Sequence, residues 1–92
     1  MSNRGMTGNA YGREIRKKED ATDRIFQELL AAEIGHPGWP TDVVHATAIM
    51  VEEAGEAMQA ALDVYYRKGD LEHLRQELAQ TGAMCIRALI NL

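Results

Sequence analysis

The chain has almost no cysteine, and its runs of apolar residues are short. The 92 residues include a single cysteine, Cys85, so no disulfide can form within the chain, and a reducing compartment is expected. No stretch approaches the roughly 18 uncharged apolar residues of a transmembrane helix, and the N-terminal residues lack the apolar segment of a signal peptide. We therefore expect a cytoplasmic protein with no membrane partner, in which Cys85 is a small buried side chain rather than a reactive thiol.

A strand pattern is also missing, and basic side chains are the minority of the charged ones. No segment alternates between apolar and polar residues with a period of two, which is the usual signal of a half-buried strand. The net charge is -4, from 14 acidic and 10 basic side chains. Nucleic-acid binding depends on neutralising phosphates with Lys and Arg, so this balance argues against a nucleic-acid partner. Apolar residues make up 46% of the chain, which excludes disorder by composition.

Three segments have the three- and four-residue apolar spacing of amphipathic helices, which predicts an all-α fold. Residues 1–12 are rich in Gly and small polar side chains, and we expect them to form a flexible tail. Residues 13–92 are expected to form one helical domain, with a first helix over about residues 13–33. The segment 35–40, with the sequence GHPGWP, cannot continue a helix and is predicted to be a loop.

The second predicted helix is long for so short a chain. It begins after an N-cap at Thr41 or Asp42 and extends to about Lys68, with Gly69 as the left-handed residue that ends it. Such a helix has a length of about 40 Å at 1.5 Å per residue. A chain of this size buries only a modest core by itself. We therefore expect the helical bundle to be completed by homo-oligomerisation, as a homodimer or homotetramer.

The third predicted helix follows after a very short turn. Asp70 is its expected N-cap, and it extends to about Asn91. Helices joined by so short a connection are usually antiparallel neighbours, so the second and third helices should form a long antiparallel pair. Large apolar side chains recur along the third helix and are predicted to form its buried stripe, namely Leu71, Leu74, Leu78, Cys85 and Leu89.

Acidic side chains are concentrated in the middle of the second helix. Glu52, Glu53 and Glu56 lie three or four residues apart among apolar neighbours, so their carboxylates can converge. The third helix adds Glu77 and Gln80 at the same spacing. Like charges at this spacing repel, and burying unpaired carboxylates is costly. Either a divalent cation with oxygen ligands or Lys and Arg partners would offset that cost.

The order of these carboxylates resembles a known motif. Residues 51–57, VEEAGEA, are similar to the Glu-Glu-x-x-Glu motif of the MazG-like all-α nucleoside triphosphate pyrophosphohydrolases. In that superfamily a Glu-x-x-Asp element follows, and here ELAQ, residues 77–80, comes after a gap of 20 residues. The resemblance covers about residues 25–92. The departure is Gln80, which stands where the family has an aspartate.

The resemblance implies a Mg²⁺-dependent enzyme, with Mn²⁺ as a possible substitute, that cleaves a nucleoside triphosphate to the monophosphate and pyrophosphate. It implies that Glu53, Glu56 and Glu77 are metal ligands, with Gln80 in the fourth position. It also implies catalytic roles for Glu53 and for Glu52, which would orient the attacking water or hold a second metal ion. Family members are dimers or tetramers, which agrees with the homo-oligomer expected from the long helix.

Three other side chains are candidates for contacts with the substrate. Trp39 would stack on a base, Arg87 would reach a phosphate, and His45 precedes the glutamates on a similar face of the helix. Each also has a simpler structural interpretation, as a loop anchor, a surface ion-pair partner or a half-exposed helix side chain. Because the amide of Gln80 is neutral, a catalytically inactive helical dimer that binds a nucleotide or a protein is the alternative function.

Overall fold

Three α-helices make up the computed structural model, which describes residues 8–92. Helix α1 spans Gly8–Gly35, α2 spans Val43–Arg67 and α3 spans Leu71–Ile90. The described residues contain no strand, so the all-α prediction is confirmed. Among the same residues, no helix combines the length and the apolar character needed to cross a membrane.

Helix α1 begins at Gly8, five residues before the predicted start. Residues 8–12 of the predicted tail are therefore helical, and residues 1–7 lie outside the described part of the chain. Once a helix exists, each added residue gains one hydrogen bond. The Ala and Tyr in this segment continue the helix, although each Gly costs about 1 kcal/mol relative to Ala.

Aspartate side chains begin both later helices, as predicted. Asp42 precedes α2, and its carboxylate accepts a hydrogen bond from the Val44 amide at 3.2 Å. Asp70 precedes α3 and accepts from the Glu72 amide at 2.9 Å. Each carboxylate satisfies an N–H group that has no partner within its helix, which determines where the helix begins.

The end of α2 differs from the prediction in one respect. The left-handed residue is Lys68, with φ of 57°, rather than Gly69. Glycine is required at 69 because a Cβ atom there would lie 2.8 Å from the backbone carbonyl carbon of Asp63. The Gly69 amide donates to the Asp63 carbonyl at 2.8 Å, which closes the last turn of the helix. The turn into α3 therefore depends on a close approach of the backbone at Gly69.

Helix α3 lies between the other two helices. It packs against both α1 and α2, whereas α1 and α2 have no close backbone approach within the described residues. Buried Leu29 of α1 and buried Ala83 and Met84 of α3 form the centre of the core. Arg24 of α1 also forms an ion pair with Glu72 of α3, which fixes one end of the α1–α3 contact.

The buried stripe predicted for α3 is wrong. Its buried residues are Ala79, Ala83, Met84 and Arg87. A helix that packs against two others needs small side chains on its contact faces, so that the backbones can approach closely. Ala79 and Ala83 take these positions, Met84 packs in the core, and most of the leucines of α3 lie outside these contacts. Of the predicted stripe only Leu74 is half-buried, and the exposed members are Leu71, Leu78, Cys85 and Leu89.

Candidate functional site

Three of the predicted carboxylates meet where α2 packs against α3. Glu53 and Glu56 lie one turn apart on α2, and Glu77 comes from α3. One carboxylate oxygen from each residue lies within 4.8 Å of the other two. Glu56 is exposed, whereas Glu53 and Glu77 are half-buried. We call these three residues the glutamate cluster.

Two oxygen atoms of the glutamate cluster are buried without a hydrogen bond from any described residue. They are Oε2 of Glu53 and Oε1 of Glu77. The other Glu77 oxygen lies 3.7 Å from Nε2 of His73, and the Glu77 side chain is only 12% exposed. Within residues 8–92, no Lys or Arg forms an ion pair with the cluster. The Lys and Arg partners considered from the sequence are therefore not found there.

The electrostatics of the cluster favour protonation of one member. Burial raises the pKa of Glu53, and the negative charges of Glu56, Glu77, Glu52 and Glu28 raise that pKa further. A carboxylate that loses hydration and gains like-charged neighbours holds its proton to higher pH. A bound cation would reverse this effect because it favours the charged form.

The dimensions of the cluster suit a hard divalent cation. Such cations take carboxylate oxygens at about 2.0–2.1 Å for Mg²⁺ and about 2.3–2.6 Å for Ca²⁺. Oxygens on opposite sides of the ion are then about 4.2 Å or about 5 Å apart. At most one pair of three oxygens can lie on opposite sides of an ion, and neighbouring oxygens around Mg²⁺ are about 3 Å apart. The separations of up to 4.8 Å in the cluster must therefore shorten for all three oxygens to bind one ion. Small rotations of the side chains would bring all three oxygens to one ion.

No family model, curated protein or solved structure matches this chain.

Gln80 lies beside the cluster and contacts Glu28, which was not among the site residues predicted from the sequence. Its amide Nε2 donates to Oε1 of Glu28 on α1, at 3.4 Å. A pocket of about 310 Å³ opens at this point and is lined by Glu28, Gln80, Glu53 and His36, with Met84 and three alanines. The pocket therefore connects α1 to the glutamate cluster through Glu53.

A signal for Glu28 was present in the sequence. It lies on the same face of α1 as Ile25, Leu29 and Ala32, which pack in the core. An acidic residue within such an apolar stripe needs a partner, since an unpaired buried charge is costly. The sequence alone did not reveal that partner, because it lies on a different helix.

The remaining catalytic and substrate-binding candidates on α2 are exposed. Glu52 points away from the core, and its charge contributes to the raised pKa of Glu53. His45 is exposed seven residues earlier, or about 10 Å along the helix. The structure places Glu52 beside the cluster and His45 two turns away from it.

Arg87 and Trp39 contact each other at the loop that follows α1. The Arg87 residue is only 4% exposed, and its guanidinium donates to the carbonyls of Ala32, His36 and Gly38. The guanidinium carbon also lies 4.8 Å from the centre of the Trp39 ring, which in turn packs on the core. Basic side chains commonly satisfy the last carbonyls of a helix in this way. The side-chain contacts of Arg87 are thus with the end of α1 and the loop that follows it, rather than with the carboxylates.

Proposed function

We propose that this protein is a Mg²⁺-dependent nucleoside triphosphate pyrophosphohydrolase that resembles the MazG-like enzymes. One observation carries the proposal: Glu53, Glu56 and Glu77, which occupy the acidic positions of the motif, converge within 4.8 Å. Two of their oxygens are buried and lack a described hydrogen-bond donor. A cation with oxygen ligands is the simplest partner for such a site. We place the protein in the cytoplasm as part of the same proposal.

The residues of the chain would divide the chemistry among them. Bound Mg²⁺ would supply charge neutralisation for the triphosphate and would lower the pKa of a water molecule. Glu53, Glu56 and Glu77 would hold the ion, and exposed Glu52 would orient the water for attack on the α-phosphorus. The water oxygen would form a bond to that phosphorus and its proton would pass to solvent. The bond from the α-phosphorus to the oxygen that bridges it to the β-phosphorus would break, and pyrophosphate would leave.

Pyrophosphate release from a panel of NTPs and dNTPs tests this function. We expect release in Mg²⁺ or Mn²⁺, none in EDTA, and none from a Glu53→Gln variant in either metal. Glu19→Gln is a matched control, because it removes one charge from an exposed position on α1. Full activity in the Glu53→Gln variant would remove the proposal.

A second candidate is a catalytically inactive module that binds a nucleotide or a protein. The observation that favours it is the neutral Gln80 in the fourth motif position, which offers one carbonyl oxygen instead of a carboxylate. Nucleotide binding in Mg²⁺ or Mn²⁺ without pyrophosphate release would select this candidate. In that case a Gln80→Glu variant would be the first choice for recovering turnover.

Self-association is part of the proposal, because the single chain leaves much of its apolar surface uncovered. The radius of gyration is 16.5 Å, against about 12 Å for a compact domain of this length. Along α2, every seventh residue from Val44 is apolar and exposed: Val44 by 72%, Val51 by 58%, Met58 by 60% and Tyr65 by 79%. Helices that pack along a partner have apolar residues at two positions of a seven-residue repeat, and these four residues supply one of the two positions.

We propose that α2 and α3 form an antiparallel pair and that this α2 stripe, on another face of α2, packs against a second copy of the chain. A Met58→Glu variant introduces a charge at the middle of the stripe. Light scattering coupled to size exclusion should then report a monomer, whereas Glu19→Gln should keep the mass of the wild-type oligomer. An unchanged mass for Met58→Glu would show that the stripe is not the interface.

A further inference from the structure

The contact between Gln80 and Glu28 determines which way the Gln80 amide faces. A carboxylate can only accept hydrogen bonds, so the NH₂ group of the amide must face Glu28. The carbonyl oxygen is then at the other end of the amide. Within the described residues it accepts no hydrogen bond, although Gln80 lines the same pocket as Glu53. That oxygen is therefore available to a ligand.

We propose that Glu28 is a positioning residue, which holds the Gln80 carbonyl oxygen ready to serve as the fourth oxygen of the cation site. The inference rests on the proposed function. It explains how a neutral amide can occupy a motif position that usually carries a charge. Glu28 supplies from α1 the negative charge that Gln80 lacks. Its hydrogen bond polarises the Gln80 amide, which makes the carbonyl oxygen of that amide more negative.

The charges around the pocket agree with this role. Glu28 forms no ion pair with a Lys or Arg among the described residues; Arg24, one turn before it on α1, pairs with Glu72, although the charge of Glu28 also acts on Arg24. Its one described side-chain hydrogen bond is the one from Gln80. Partners that orient a metal ligand typically contribute about 10- to 100-fold to metal affinity. We expect a loss of that size when Glu28 can no longer orient the amide.

Exchanging the two residues gives the decisive experiment. Glu28→Gln removes the charge, and Gln80→Glu places a second carboxylate next to the first. The double variant carries Gln at 28 and Glu at 80, so it restores one carboxylate and one amide at the same contact. Calorimetric titration of the full chain with Mn²⁺ measures affinity without relying on turnover. Glu19→Gln controls for net charge, and thermal melts in EDTA confirm that each variant is folded.

We expect Glu28→Gln to weaken Mn²⁺ binding at least about tenfold. The double variant should recover an Mn²⁺ affinity within about threefold of the wild-type value. Glu19→Gln should bind Mn²⁺ as the wild type does. Glu28→Asp retains the charge but withdraws the carboxylate, so it should show the same loss if Glu28→Gln does not fold. Wild-type affinity in both single variants at Glu28 would overturn the positioning role alone. A double variant that binds Mn²⁺ more weakly than Glu28→Gln alone and Gln80→Glu alone would also overturn the positioning role. An absence of Mn²⁺ binding to the wild-type protein would overturn both this role and the proposed function.

Discussion

Removing one charge from the glutamate cluster should stabilise the protein when no divalent cation is present. The change is Glu53→Gln, which keeps the shape of the side chain. Two unit charges 4.8 Å apart repel by about 0.9 kcal/mol in water and by about 3.5 kcal/mol at an effective dielectric constant of 20. Glu53 takes part in two of the three repulsions in the cluster. Because Glu56 is exposed, the value for water applies better, and the expected gain is about 1–2 kcal/mol.

A gain of this size is measurable by thermal unfolding. For a domain of this length it corresponds to a rise in Tm of about 5–10 °C. The measurement uses EDTA at neutral pH and low salt, with Glu19→Gln as the control for net charge. Saturating Mg²⁺ should reverse the order of stability of the two proteins. Saturating cation stabilises the wild type, by about 2.7 kcal/mol at a hundred times Kd, and should stabilise the variant far less.

The dependence on pH provides a second check on the same residue. Since the pKa of Glu53 is raised in the folded state, the native protein binds this proton more tightly than the unfolded chain does. The contribution of Glu53 to stability therefore falls as the pH rises from its ordinary pKa through the raised value. Glu53→Gln should lack that decline. A variant that is less stable than wild type in EDTA would refute the reasoning, because it would mean that the Glu53 charge has a favourable partner.

The other predictions concern the fold. Lys68→Gly should stabilise the protein by about 0.5–1 kcal/mol in thermal unfolding, because glycine adopts the left-handed conformation at no steric cost. A loss of stability would contradict this account of the end of α2. Arg87→Ala should destabilise the protein by about 2–4 kcal/mol in urea unfolding, since the buried guanidinium satisfies three carbonyls and packs on Trp39. An effect below about 0.5 kcal/mol would mean that other contacts hold the loop. The hydrogen bond from Arg24 lowers the pKa of Glu72, so this ion pair should stabilise the fold above the ordinary pKa of Glu72 and lose its effect as the pH falls through the lowered value. Removing Arg24 should therefore reduce the loss of unfolding free energy as the pH falls through this range. An unchanged loss at acid pH would contradict that role.

Local signals in the sequence were sufficient for the order of the helices and for the two glutamates that α2 contributes to the candidate site. The apolar spacing and the capping residues Asp42 and Asp70 act over one or two turns, so the order of the elements could be predicted. The convergence of Glu53 and Glu56 also follows from helix periodicity alone. That Glu77 joins them depends on the short turn before α3, which limits how the second and third helices can pack.

The sequence by itself thus determined an all-α chain, its two caps and the convergence of Glu53 and Glu56 on α2. The packing of α3 on α2 decided that Glu77 joins them. Only the tertiary structure decided which face of α3 is buried, because that depends on two neighbouring helices that require small side chains at close contacts. It also decided that Arg87 anchors the loop and that Glu28 contacts Gln80. Both contacts join residues about 50 positions apart. Spacing along one helix cannot encode the distance between side chains on two different helices.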